Sequence, residues 1–352
     1  MRILKYLILL ILILIIGAIV LTRIPAVQDR VTTNFINRLV DSQTTLPEDA
    51  LSAVVCGSRS PLPAPGRAEA CILVKAGKNL YVIDVGDGSA ANLRNWRIDL
   101  GNLRAVLFTH LHSDHISDLA DLHLNAWIAQ SRLQKLKVYG PQGVEQVVKG
   151  FEDAYSLDYQ FRNEHHGDDV APLEVAGFDP YTIDLSNPVI INEDDLKVTA
   201  FAVLHDPVEP ALGYRFDYKG RSIVISGDTV YYENVIKNSM NTDVLFHEAQ
   251  ANHIIKIIED AARESGDIYR SKIMSDITTY HTTPVEAAEV ANKANVGHLV
   301  FYHLTPVPRI NLMADMFVRG VNEIRKDWTL SEDGTMVILP LNSNKIEITT
   351  IK

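Results

Sequence analysis

Thr109-His110-Leu111-His112-Ser113-Asp114-His115 places four candidate metal donors, His110, His112, Asp114 and His115, within six residues. Residues 104–108 before it are apolar and β-branched and read as a buried strand, and the apolar spacing over residues 116–128 reads as a helix. The motif therefore sits in a strand-to-helix loop. Four donors so close in sequence cannot all face one ion. His110 and His112, two apart, can converge on one, while Asp114 and His115 turn toward a neighbour, so the pattern predicts two adjacent ions. Imidazole and carboxylate donors suit zinc, or iron or manganese where carboxylates dominate. A merely solvated histidine-rich loop has no need of the order H-x-H-x-D-H, which is far more restrictive than a generic cluster.

The same arrangement, a strand with a donor at its carboxyl end, recurs along the chain. Residues 196–204 lead to His205, and residues 211–218 and 221–226 form a hairpin around Lys219-Gly220 that runs into Gly227-Asp228-Thr229. Residues 243–246 lead to His247-Glu248, and residues 298–302 lead to His303. A catalytic dinuclear centre needs about three protein ligands per ion, open positions for water and a carboxylate able to bridge. On that requirement His205 completes the site begun by His110 and His112, His303 completes the site begun by Asp114 and His115, and Asp228 bridges. His247-Glu248 also opens like a zincin helix, but the next histidine, His253, is six positions from His247 rather than four, so one helical face cannot present both. His123, His253 and His298 are read as structural.

At 352 residues, 47% hydrophobic and 22% charged, the chain can bury one large core or two modest ones. Arg2 and Lys5 precede residues 6–21, an uncharged and almost wholly apolar run of a length near the lower limit for spanning a bilayer. No small-x-small cleavage site follows, so an uncleaved anchor in the inner membrane is expected, with the catalytic domain periplasmic; secretion after cleavage is the alternative. Residues 1–25 form the anchor, residues 26–50 a polar linker, and residues 51–352 the catalytic domain. Removing the anchor takes away Arg2, Lys5 and Arg23 and no acid, so the net charge of −11 becomes −14. A body so acidic predicts no nucleic-acid partner, because that affinity comes mainly from basic side chains on phosphates.

Residues 53–56, 70–75 and 80–85 are strand candidates, followed by Gly86-Asp87-Gly88-Ser89-Ala90-Ala91, which formally fits a dinucleotide fingerprint. The acid required about 20 residues later, at the end of a second parallel strand, is missing; the glycines are expected to let this loop pass beneath the metal site. Residues 136–139 read as a strand, 143–154 as a helix, 285–294 as a helix and 335–351 as a final hairpin. Residues 156–180 break the pattern and look like an insertion or lid, with His165 and His166 as candidate substrate contacts. Cys56 and Cys71 flank a Pro/Gly-rich loop and are either bridged or two buried thiols.

The metal motifs together resemble those of the metallo-β-lactamase superfamily over roughly residues 50–340: His110-Leu111-His112-Ser113-Asp114-His115, His205, Ser226-Gly227-Asp228-Thr229 and His303 match in order. The resemblance implies an α/β fold, a four-layer αβ/βα sandwich with the metals at one edge, here behind an N-terminal transmembrane anchor. His247-Glu248-Ala249 and His281-Thr282-Thr283-Pro284 look like the paired elements of the ribonuclease Z-like branch, in which the matching Glu248 and His281 assist the proton donor. Residues 57–67, Ala211-Leu212-Gly213-Tyr214-Arg215-Phe216 and the export segment also look like the arylsulfatase-type members of that branch. Asp228 stands where the commonest zinc β-lactamases carry cysteine, which disfavours antibiotic hydrolysis.

The expected function is that of an exported, membrane-tethered hydrolase with two divalent ions, zinc first, whose shared hydroxide attacks a small anionic sulfate or phosphate ester. His281, pushed toward its charged form by Glu248, supplies the leaving-group proton directly or through Asp114. The alternatives are a ribonuclease Z-type phosphodiesterase and a non-hydrolytic metal-binding module.

Overall fold

Short, buried β-branched runs bounded by turns build the framework, and helical stripes cover it. The computed structural model describes residues 2–41, 44–128 and 132–351, in two units, Met1–Thr44 and Thr45–Lys352. The first unit holds helices α1 (Arg2–Leu21) and α2 (Pro25–Asp41). α1 has no buried residue and is long and apolar enough to cross a membrane. The linker expected over residues 26–50 is helical as far as Asp41. Pro25 sits at the first helical position, where its missing N–H costs nothing, and no glycine or further proline interrupts the stretch after it.

In the second unit, β1 (Ala50–Gly57), β2 (Cys71–Ala76), β3 (Asn79–Ile83), β4 (Leu103–Leu107), β5 (Leu136–Gly140) and β6 (Phe178–Thr182) lie side by side, antiparallel from β1 to β3 and parallel from β3 to β6. A second sheet follows from β7 (Val189–Glu193), β8 (Leu196–His205), β9 (Val208–Tyr218), β10 (Arg221–Ile225), β11 (Val244–Gln250), β12 (His298–Thr305) and β13 (Trp328–Leu330). Its strands are antiparallel as far as β10 and parallel beyond. The chain then returns to the first sheet, where the hairpin β14 (Thr335–Pro340) and β15 (Glu347–Thr350) extends the edge beside β1.

Strand periodicity decides which side chains meet. In β1, Leu51, Ala53 and Val55 enter the core between the sheets with Tyr81 and Leu107, opposite Val198, Tyr214, Phe216, Phe246 and Val300 of the second sheet. Val54, Leu73, Val82 and Val106 turn the other way, onto α3 (Ser89–Asn95), the short α4 (Ser113–Ile116), α5 (Leu119–Ile128) and α6 (Val144–His166). Phe201, Val224, Leu245 and Phe301 face the second helical layer, which includes α7 (Glu233–Asn238), α8 (Asn252–Glu264), with α9 (Ile268–Asp276) packed on α8, and α10 (Pro284–Lys293). This is the four-layer αβ/βα sandwich expected from the motifs.

Two local readings change. The helix expected over residues 116–128 breaks into α4 and α5 where the Asp118 N–H donates to the Val85 carbonyl at 2.9 Å rather than to the preceding helical turn, while its carboxylate accepts from the Ala90 N–H at the start of α3. The helix expected to end at residue 154 continues to His166, so residues 156–180 are not an inserted lid: they hold the end of α6, a 3-10 turn at Leu173–Val175 and the start of β6. The stripe Val144, Val148, Phe151, Tyr155, Tyr159 keeps helical spacing past Ala154, and buried Tyr159 packs edge-on against Trp127.

Cys56 and Cys71 form a disulfide across 15 residues. Replacing both by serine is expected to lower the unfolding free energy by about 3 kcal/mol, read from denaturant midpoints; an unchanged midpoint would show that the bridge contributes nothing.

Candidate metal centre

The site is assembled from strand ends. β4 delivers Thr109 and His110, β8 ends on His205, β10 runs into Asp228, β11 carries Glu248 and β12 carries His303. Two glycines make the approach possible. A Cβ on Gly86 would lie 2.0 Å from the Asp114 carbonyl oxygen, and one on Gly227, whose φ is +65°, would lie 2.4 Å from that of Leu212. The loop after β3 thus runs directly beneath the histidine motif, as expected in place of a dinucleotide site.

All seven donors expected from the sequence come together. His110 Nε2 and His112 Nδ1 lie 2.9 Å apart, and His205 joins them within 4.8 Å. Asp114 Oδ2 lies 3.4 Å from His115 Nε2 and 3.2 Å from His303 Nε2. Asp228 Oδ2 is common to both groups: it stands 3.4 Å from His115 Nε2 and from His303 Nε2, and 3.9 Å from His110 Nε2 and from His205 Nε2. Ligand atoms about 2.0–2.2 Å from a tetrahedral ion stand about 3.3–3.6 Å from one another, a range that the 3.4 Å separations among Asp114, His115, His303 and Asp228 meet and that the His110, His112 and His205 group brackets, from 2.9 to 4.8 Å. His115 Nε2 and Asp228 Oδ1 are buried and have no hydrogen-bond partner among the described residues, a costly state that a bound cation relieves.

Charge divides the donors: burial opposes protonation of His115, but Asp114, Asp228 and Asp84 outweigh it and hold that ring well above the ordinary histidine value, whereas His110, His205, Asp114 and Asp228 are shifted toward their ligand forms. Burial holds His110 well below the ordinary histidine value and brings His205 down to about 4, so both rings are neutral donors at neutral pH. Burial opposes ionisation of Asp114 and Asp228, but the neighbouring His115 and His303 rings outweigh it and keep both below the usual carboxylate range.

Partners behind the donors fix their orientation. Asp84 accepts hydrogen bonds from the Thr109 N–H at 2.8 Å, the Thr109 hydroxyl at 2.7 Å and His115 Nδ1 at 2.8 Å, which leaves His115 Nε2 to face the site. His205 Nδ1 donates to the Tyr280 carbonyl at 3.0 Å, leaving its Nε2 likewise. Neither Asp84 nor Tyr280 was expected from the sequence. For Asp84 a signal existed: an acid directly after a fully buried strand.

Glu248 is completely buried, and its Oε1 accepts from the Thr282 N–H at 2.8 Å, from His281 Nδ1 at 3.2 Å and from the Thr229 N–H at 3.3 Å. The Glu248–His281 pairing is as expected, but its electrostatics differ. Burial lowers His281 rather than raising it, and raises Glu248 well above its ordinary value, because a carboxylate so far from water is itself hard to ionise. His165 and His166 end α6, exposed, with their rings edge to face. His123 accepts from the Gly177 N–H, His253 bonds the Met316 carbonyl and His298 the Thr329 hydroxyl, all outside the site.

Asp84→Asn keeps the shape but removes the charge behind His115. It is expected to weaken retention of one ion about 10–100-fold in a chelator titration; unchanged retention would rule out an orienting role for Asp84.

The beta-lactamase superfamily domain matches residues 79–304. Ribonuclease Z of Mycolicibacterium gilvum is 30% identical over 258 residues, 73% of this chain and 85% of that protein. Among solved structures, human tRNase Z, short form, superposes with a TM-score of 0.58 at 20% identity, covering 82% of this chain and 99% of the other. The metallo-beta-lactamase fold protein YhfI from Bacillus subtilis gives 0.58 at 19% identity over the same shares. A sandwich of this topology, with its donors at the strand ends and relatives this similar along most of their length, makes the chain a hydrolase-fold member of the metallo-β-lactamase superfamily, in its ribonuclease Z branch.

Proposed function

We propose that the protein is a phosphodiesterase working at a two-ion centre, and that the ions are zinc. The observation that carries this reading is the single oxygen, Asp228 Oδ2, shared by the His110–His112–His205 and Asp114–His115–His303 groups. Divalent ions bound there supply an activated water and neutralise charge developing on phosphoryl oxygens. Relatives named ribonuclease Z favour a diester over the small sulfate or phosphate monoester that the arylsulfatase-like segments suggested. They also weigh against the expected absence of a nucleic-acid partner, which rested on net charge alone, and make RNA a candidate substrate.

The protein's own groups then divide the work. His281 borders the donor cluster, and the Glu248 carboxyl holds it through Nδ1, so Nε2 is the nitrogen that would take up a proton from solvent and pass it to the departing oxygen. Tyr280 packs its ring 4.8 Å from that of His281 and fixes its tilt. Export and tethering are supported by α1, by Arg2 and Lys5 ahead of its apolar run, and by the Cys56–Cys71 bridge, since disulfides persist in oxidising compartments. This reading places the catalytic unit on the periplasmic side of the inner membrane.

The test uses the full chain in detergent with its metal content measured, assayed on bis-nitrophenyl phosphate, a phenyl diester, nitrophenyl sulfate and a transfer RNA transcript. Diester cleavage lost in Asp228→Ala together with the metal is expected; cleavage of the sulfate ester alone would overturn the diester reading. His281→Ala is expected to slow the phenyl diester about 100-fold or more, and the nitrophenyl diester much less, because nitrophenolate leaves without a proton. Equal losses on the two would remove His281 from the acid role.

A further inference from the structure

A cavity of about 480 Å³ opens at the opposite end of the sandwich from the metal donors. It lies at the start of β4 and β5 and against β7, and the five strand residues of β4, Leu103–Leu107, about 17 Å, separate its wall from the loop that carries the histidine motif. Its size is that of a small-molecule site, but its lining is polar. Arg104, Arg132, Lys135 and Lys137 all line it, against a single carboxylate, Glu193. In a chain whose net charge is −11, four cations around one cavity oppose the overall balance.

Those cations are only loosely compensated. Arg104 reaches Glu193 at 4.0 Å, and Lys135 reaches Glu152, outside the lining, at 3.9 Å. Arg132 is positioned by backbone carbonyls, those of Leu103 at 2.6 Å and Gln134 at 3.2 Å, rather than by an acid. Burial and the nearby Arg104 bring the Arg132 guanidinium down to about 10, the mark of positive charges crowded together away from water. A second, independent observation comes from Tyr81. This fully buried side chain is part of the cavity wall, and its hydroxyl has no hydrogen-bond partner among the described residues. A buried hydroxyl left unpaired costs free energy unless something occupies the cavity and accepts from it.

We propose that this cavity is a second anion site, separate from the metal centre, that takes a small phosphate-bearing dianion. Arginine forks and lysine ammoniums are the groups that recognise phosphoryl oxygens, and the Tyr81 hydroxyl adds a neutral donor. The proposal does not depend on which ester the metal centre cleaves.

The experiment is calorimetric titration of the full chain in detergent, after chelation of its metals, with inorganic phosphate, glycerol phosphate and succinate as probes. Saturable binding of the two phosphates that survives chelation is expected. Arg104→Ala and Lys137→Ala, both at accessible positions, should each weaken it about tenfold, the worth of one charge-assisted hydrogen bond, and leave diester hydrolysis by the metal-loaded protein unchanged. Tyr81→Phe removes only the hydroxyl and keeps the packing, so a loss there reports the lining rather than the fold. Absence of binding after chelation would assign the anion to the metal centre, equal affinity in the three variants would place it elsewhere on the surface, and binding of succinate alone would exclude phosphate; each overturns the proposal.

Discussion

The Asp228 carboxylate, buried among the rings of His110, His115, His205 and His303, is the constraint that the rest of the structure serves. An anion so placed is tolerable only while positive charge surrounds it, and the cluster of imidazoles is tolerable only while something else occupies the space they face. The fold meets this by rigidity. Most of these groups are mounted on or directly after a strand, His115 on the short α4, and the bonds from His115 Nδ1 to Asp84 and from His205 Nδ1 to the Tyr280 carbonyl hold those two rings in place.

Strand direction explains why one edge collects them. β8 is antiparallel to β9, and β9 to β10, so β8 runs with β10, and β11 and β12 follow parallel to it. Their carboxyl ends therefore share one rim, which presents His205, Asp228, Glu248 and His303. In the facing sheet the parallel pair β3 and β4 ends in Asp84 and the histidine motif. The core between the sheets, from Leu51 to Phe246, sets the distance across which the two rims meet. Packing is thus part of the metal site: a change of sheet separation would pull Asp228 Oδ2 away from one donor group or the other.

The donors were legible in the sequence because each has a local cause, a buried run followed by a polar ligand, that survives without tertiary information. Asp84 was less so, since its role exists only through Thr109 and His115, 25 and 31 positions away. The continuation of α6 was missed for a different reason: exposed polar residues such as Glu164, His165 and His166 mask a core stripe that only Tyr159, against Trp127, makes visible. The direction of the His281 shift was misjudged because the sequence shows that a carboxylate partner exists but not that it is itself wholly buried.

Net charge and the named relatives point to different partners for this chain. A net charge of −11 describes the far field of the molecule, which governs solubility and encounter. A substrate meets the near field, and there the sign is local. Two divalent ions at the His110–Asp228 rim would add four positive charges where the protein supplies two ionised carboxylates, so an anionic ester finds attraction inside an acidic body. At the far end of β4, Arg104, Arg132, Lys135 and Lys137 reverse the sign again without any ion. Repulsion by the surface and attraction by the clefts act at different ranges: screening removes the first beyond about 10 Å at moderate salt, while the second operates among groups that water does not separate. An acidic chain can therefore hold anionic ligands at two places, and its total charge bears on how fast they arrive rather than on whether they bind.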